Sequence, residues 1–325
     1  MLVAASLLLH MFTVYCFSRQ PDRLAAFTVM PIWLWGGIGL FLAALAFYAL
    51  RASLSLIMTI VWAITLLIGA DEARVLANFG KESPLPGEAR PYQGKPVLRV
   101  ITLNCADFIY GNPARDLAAW EPDIVLLQDM RPHYVRQVAD VLYGGTGDYR
   151  THLSNGIVTR WKITREIRNP AQRDQQVTIT LPGGGQIEVV NVHLLTAATN
   201  LKLWRREAWT EHREKRSIRE TELYRTRQIL EQTTAPPDTP VILGGDFNAP
   251  ATDVVMRQLP GDLVDSFAAV GKGWGDTYHR RLPVLRIDHL YATRHFTPLR
   301  SKVVMTRNSD HRMVVTDFLP IPEIK

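Results

Sequence analysis

Residues 241–250 read Val241-Ile242-Leu243-Gly244-Gly245-Asp246-Phe247-Asn248-Ala249-Pro250. A β-branched apolar run closes on two glycines, an acid, an amide and a proline. Such runs favour strands, and Gly, Asn and Pro favour the turn that ends them. Asp246 therefore sits where a strand meets a loop. The pattern recurs downstream. Arg286-Ile287-Asp288-His289 opens a second apolar run, and Ser309-Asp310-His311-Arg312 opens a third. Acids, an amide and a histidine at strand ends suit a divalent cation beside a phosphate ester. Hard cations take carboxylate and amide oxygens, and histidine exchanges its proton near neutral pH.

Working outward, the spacing predicts strands over 97–103, 124–127, 156–159, 176–181, 187–192, 241–243, 287–292, 303–306 and 313–318. The first ends at Asn104, the second at Gln128-Asp129, and the fifth at His193. Residues 182–186, Pro-Gly-Gly-Gly-Gln, mark a hairpin. Residues 113–120 read as a short helix opened by Asn112 and Pro113. Strands and helices mix without a strict βαβ repeat, so the pattern gives a mixed α/β domain.

Residues 201–232 read as a long helix. Apolar residues lie at helical spacing near its ends, and 213–220 are charged on every face. That middle is either a basic arm toward nucleic acid or a membrane, with Trp204 and Trp209 as anchors, or a solvated surface on a helix packed through its ends. The mixed signs favour the solvated helix.

The first 70 residues are almost free of charge. Residues 27–50 and 54–70 are apolar runs separated by Arg51-Ala52-Ser53, and 2–17 is a third run containing His10. Their lengths predict three transmembrane helices, with Trp33, Trp35, Tyr48 and Trp62 toward lipid or its interface. A membrane segment over 1–77, a Pro- and Gly-rich linker over 78–96 and a folded domain over 97–325 follow. The count of basic residues on either side of the spans is too even to orient the domain firmly. It tips the domain toward the cytoplasm. The formal charge of +6 suits an anionic partner such as nucleic acid or a phospholipid headgroup. Cys16 and Cys105, the two cysteines, form no readable disulfide or zinc motif.

The segments "TLNC", "LLQDM", "VVNVHL", "GGDFNAP", "RIDHLYA" and "NSDHR", in that order, resemble the endonuclease/exonuclease/phosphatase superfamily across residues 97–319. The tail resembles bacterial membrane-anchored members. That resemblance implies two mixed β-sheets packed face to face with helices on both outer faces, a four-layer sandwich. It also implies a multi-pass protein of a bacterial plasma membrane, with a lean toward an extracytoplasmic domain.

Residue by residue, the resemblance implies that Asn104, Asp129 and Asp310 hold a metal, magnesium first and manganese as the alternative. His311 matches the base that deprotonates the attacking water, and Asp288 its orienting carboxylate. Asp246 and Asn248 match residues that hold water and phosphate, and His193 a donor to a non-bridging oxygen. Asp246 and His311 are both able to take the water proton. Asn155, Thr277 and Arg173 are further residues that could face the cleft. The family usually carries Glu where this chain has Asp129. The shorter arm reaches roughly 1–1.5 Å less far at fixed backbone. The activity implied is a membrane-anchored, metal-dependent phosphoesterase acting on nucleic acid, a lipid headgroup or a phosphomonoester. The alternative is a catalytically silent scaffold that binds a phosphate ligand.

Overall fold

Apolar, β-branched runs without alternation belong in sheet interiors, covered on both faces. The computed structural model describes residues 1–50, 53–80, 96–168, 172–200, 202–233 and 239–321. Its strands are β1 (Leu98–Asn104), β2 (Ile124–Gln128), β3 (Asp148–His152), β4 (Asn155–Thr159), β5 (Ile163–Arg168) and β6 (Gln175–Thr180). They continue as β7 (Gln186–His193), β8 (Val241–Asp246), β9 (Val264–Asp265), β10 (Asp288–Ala292), β11 (Phe296–Met305) and β12 (Arg312–Pro320). They form two six-stranded sheets, ordered β11-β12-β1-β2-β4-β3 and β5-β6-β7-β8-β10-β9. Each sheet is mixed, with one parallel pair near its centre: β1 with β2, and β7 with β8.

The helices are α1 (Leu2–Arg19), α2 (Ala25–Thr28), α3 (Ile32–Leu50), α4 (Ser53–Gly69), α5 (Asp71–Leu76), α6 (Ala114–Ala118), α7 (Pro132–Tyr143), α8 (Arg206–Thr233) and α9 (Ser266–Val270). Between the sheets, Val100, Leu126, Val189, Ile242, Leu290 and Val314 share one core. Leu103, Leu117, Val135 and Val138 join the first sheet to α6 and α7. Val190, Leu223, Leu230 and Leu243 join the second sheet to α8. The result is the expected sandwich. Each fully buried Leu, Ile or Val contributes roughly 1.5–3 kcal/mol.

Several local expectations are corrected. The run over 27–50 is not one helix: α2 ends at Thr28 and α3 starts at Ile32, directly after Pro31. Proline has no N–H to continue a preceding helix but is well placed at the start of the next. Trp62 does not face lipid; it is fully buried and donates to Ser6 Oγ at 3.1 Å. The long helix begins at Arg206 rather than 201. Its middle is solvated on one face only: Arg213, Glu214 and Ser217 are exposed, while Arg216 and Arg219 are buried. Strands β3 and β5 and helix α7 carry no expectation from the spacing. The linker over 78–96 falls largely on residues 81–95, outside the described residues. Asn78 donates to Ala268 and Gly271 carbonyls at 3.2 and 3.1 Å.

Candidate active site

β1 and β2 run parallel, as do β7 and β8, while β10 and β12 run antiparallel to β8 and β1. The ends of the first four and the starts of the last two therefore lie on common sheet edges. Register places His193 beside Asp246, and Asp246 opposite Asp288. Gly245 makes the bend before Asp246 possible. Its φ is +141°, and a Cβ there would lie 1.9 Å from the Val192 carbonyl oxygen. Asp129 and Asn248 follow their strands in left-handed backbone, φ 45° and 49°. Asp and Asn tolerate that conformation better than most residues.

The two sheet edges meet through Asn104. Its Nδ2 donates to Asp129 Oδ2 at 3.1 Å and to Asp246 Oδ2 at 2.9 Å. Its oxygen accepts from the Ala106 N–H at 2.9 Å. Asn104 thus presents its amino group to the carboxylates, and its oxygen would reach a cation only if the amide turned over. Asn248 holds Asp246 from the other side. Its N–H donates to Asp246 Oδ1 at 2.9 Å and its Nδ2 to Oδ2 at 3.2 Å.

His311 Nδ1 donates to Asp288 Oδ2 at 2.9 Å, and its Nε2 lies 4.0 Å from Asp246 Oδ2. Burial by itself would push the imidazole's pKa down. The charge and hydrogen bond of Asp288, with Asp246 and Asp310 behind them, outweigh this and hold it at about 10. Asp246 is pushed up by burial and by the charge of Asp288. These pulls favour the protonated imidazole at His311.

His193 behaves in the opposite way. Burial holds its pKa below the ordinary value, against the pull of Asp129 and Asp246. Asn155 donates Nδ2 to the Arg173 carbonyl at 2.8 Å, so its oxygen accepts from His193 Nδ1 at 3.2 Å. His193 Nε2 is then left to accept from Arg173 Nη1 at 3.1 Å. The donor at this point is the Arg173 guanidinium, and a neutral His193 accepts from it.

The structure thus brings Asn104, Asp129, His193, Asp246, Asn248, Asp288 and His311 together. Asp310 joins them through its neighbours: Ser309 Oγ donates to the Asn104 carbonyl at 2.6 Å and accepts from the His311 N–H at 3.0 Å. Thr277 braces the site, its Oγ1 accepting from the Ile287 and Asp288 N–H groups at 3.1 Å each. Ser309 and Tyr278, whose ring centroid lies 5.0 Å from that of His311, had no separate signal beyond lying beside a motif.

Two buried oxygens on this edge, Asp288 Oδ1 and Asp310 Oδ1, have no hydrogen-bond partner. Unpartnered buried carboxylate oxygens point to a missing positive group. Asp246, Asp288 and His311 also offer ligand atoms within 4.8 Å of one another, a set different from Asn104, Asp129 and Asp310. The oxygen-rich donor set fits a hard divalent cation.

The profile of the Endonuclease/Exonuclease/phosphatase family matches residues 82–311. The chain belongs to this family. No curated protein sequence matches it significantly. Solved structures of the fold do. A D. rerio TDP2 humanized by 14 mutations is 20% identical, with 68% of this chain and 98% of that one covered and a TM-score of 0.54. An endonuclease/exonuclease/phosphatase family protein from Bacteroides thetaiotaomicron is 16% identical over 70% and 96%, TM-score 0.56. A mannosyl-6-phosphatase from the same organism is 16% identical over 68% and 99%, TM-score 0.54. The family includes nucleases and phosphatases, and membership supports a phosphoesterase.

Proposed function

We propose that the protein is a membrane-anchored, divalent-metal-dependent phosphoesterase whose water nucleophile is served by Asp246 and His311. The reading rests above all on one observation: strand-end residues from both sheets share hydrogen bonds through Asn104, with His311 held between Asp288 and Asp246. When bound, a divalent cation would offset carboxylate charge and polarise the phosphate oxygens; Asp129 and Asp310, with Asp246 and Asn104 beside them, would hold it. Asp288 fixes the His311 tautomer so that Nε2 faces the reacting side. His311 and Asp246 handle the water proton between them. Arg173, set by His193, and Asn248 meet the phosphate oxygens.

The anchor reading rests on α1 and α3, whose windows over Leu2–Arg19 and Ile32–Ala49 are long and apolar enough to cross a bilayer. The 17-residue α4 packs against both. Two substrate classes suit the basic charge. One solved TDP2 structure holds a single-strand DNA product, and another fold neighbour is a mannosyl-6-phosphatase; neither dictates the substrate here. The test uses the full chain in detergent with magnesium or manganese. Bis-p-nitrophenyl phosphate, single-stranded DNA and phospholipid vesicles are supplied in turn. Turnover of any of them supports the reading. Nucleic-acid cleavage that falls steeply with added salt marks a nuclease, and salt-insensitive turnover of vesicles marks a lipid enzyme. Silence on all three and on p-nitrophenyl phosphate, a phosphomonoester, with both metals favours the scaffold, and activity restored by Asp129→Glu would assign the cause to the shortened ligand.

A further inference from the structure

The buried face of the charged middle of α8 leads to a seam. Arg216 is buried there, donating to Thr28 Oγ1 of α2 and to Asp253 Oδ2 at 3.4 Å. Asp253 in turn accepts from the Val255 N–H at 3.0 Å. A second contact lies close by. Gln20, the left-handed residue that ends α1, accepts from the Val254 N–H at 2.6 Å and donates to the Thr252 carbonyl. Both contacts grip the segment that continues from Asp246-Phe247-Asn248.

A third contact comes from α5. Asp71 Oδ2 accepts from Arg286 Nη2 at 3.2 Å. Arg286 Nη1 donates to Asp265 Oδ2 at 2.8 Å and to His289 Nδ1 at 3.1 Å. His289 must then carry its proton on Nε2, and it donates to the Ala249 carbonyl at 3.0 Å. Arg286 and His289 flank Asp288, and Ala249 adjoins Asn248. None of these groups is needed merely to tether a domain, for which a flexible linker suffices.

We propose that Gln20 and Asp71 are positioning residues: the N-terminal helices set the 246–254 loop and the 286–289 segment, so the anchor governs turnover. The proposal uses the phosphoesterase reading for its kinetic arm and stands apart from it in its structural arm. A contiguous chain of buried hydrogen bonds is the physical route by which one element biases another. Misplacing a reacting group by about 1 Å costs up to ~100-fold in rate.

The test compares full-length Gln20→Ala, Asp71→Asn, the double variant and Asp71→Glu in lipid nanodiscs. Exposed Arg136→Ala on α7 is the control. Two quantities are read: hydrogen exchange of peptides over 245–256 and 285–291, and kcat and KM on bis-p-nitrophenyl phosphate. The expectation is faster exchange confined to those two segments, with kcat lowered about 10- to 100-fold in the double variant and KM within about twofold. Asp71→Glu should recover most of the rate. If Asp71→Asn fails to fold, Gln20→Ala carries the test alone. A kcat within about twofold of the parent overturns the proposal, whatever the exchange shows. If the parent turns over another of the substrates instead, kcat and KM are read on that one; if it turns over none, the phosphoesterase reading fails and exchange decides: unchanged protection in both segments overturns the coupling, and selective loss supports it.

Discussion

The edge of the sandwich and the N-terminal helix bundle both bury polar side chains, and they treat them differently. In the bundle the polar groups satisfy one another. Trp62 donates to Ser6 Oγ, Ser6 donates to the Gly39 carbonyl at 3.0 Å, and His10 Nε2 meets Thr65 Oγ1 at 2.8 Å. Among the described bundle residues, Thr13 Oγ1 is the buried exception. At the sheet edge, donors gather carboxylates that repel one another, and Asp288 Oδ1 and Asp310 Oδ1 are left without partners. Satisfied polar groups between apolar helices specify packing. Unsatisfied ones that converge from distant strands are arranged for something that arrives later. The difference separates a structural polar network from a reactive one.

The comparison breaks first at the edge. Asp246→Asn sets an amide against the amino groups of Asn104 and Asn248 and removes a charge beside His311. Turnover should fall by at least ~100-fold, and His193→Ala by a similar factor through the loss of Arg173 placement. Steady-state kinetics on a model phosphodiester checks both, and near-parental rates would remove the residue from the reaction.

Asp276 sharpens the comparison, because its buried Oδ2 has no partner yet it lies at the seam beside Glu72. Burial and the Glu72 charge raise its carboxyl to about 7, above the ordinary value of 3.8. Between those values the folded state keeps a proton that the unfolded chain releases, so stability falls as pH rises. Asp276→Asn should therefore gain melting temperature over the parent at pH 8 and show little gain at pH 4. Equal gains at both would contradict the sign. The smallest effect belongs to the bundle. Ser6→Ala orphans the Trp62 N–H and should cost about 1–3 kcal/mol of stability, seen as a lower melting temperature in detergent, with kcat within about twofold.

Much of this was legible in the sequence because the chemistry sits at strand ends, where turn residues punctuate β-branched runs. Asp246, Asp288 and His311 could be placed that way without coordinates. Arg173 could be named only as a residue able to face the cleft, without a role, until His193 and Asn155 are seen to fold against it. The buried face of α8 was hidden for a different reason. Ala208, His212, Arg216, Arg219, Leu223, Thr226 and Leu230 are buried at steps of three and four, a regular helical stripe. Two arginines in that stripe erase it from any hydrophobic pattern, and the partners of Arg216, Thr28 and Asp253, lie far away in the chain. Strand β5 was obscure because charged residues interrupt it on its exposed positions, and β3 because its side chains are only half covered.

The most direct test replaces one side chain. His311→Ala in the full-length protein should lower kcat on bis-p-nitrophenyl phosphate by about 1,000-fold in the presence of magnesium, with a far-ultraviolet circular dichroism spectrum like the parent's. A folded His311→Ala protein that turns over within about threefold of the parent would contradict the assignment of this sheet edge as the reaction centre.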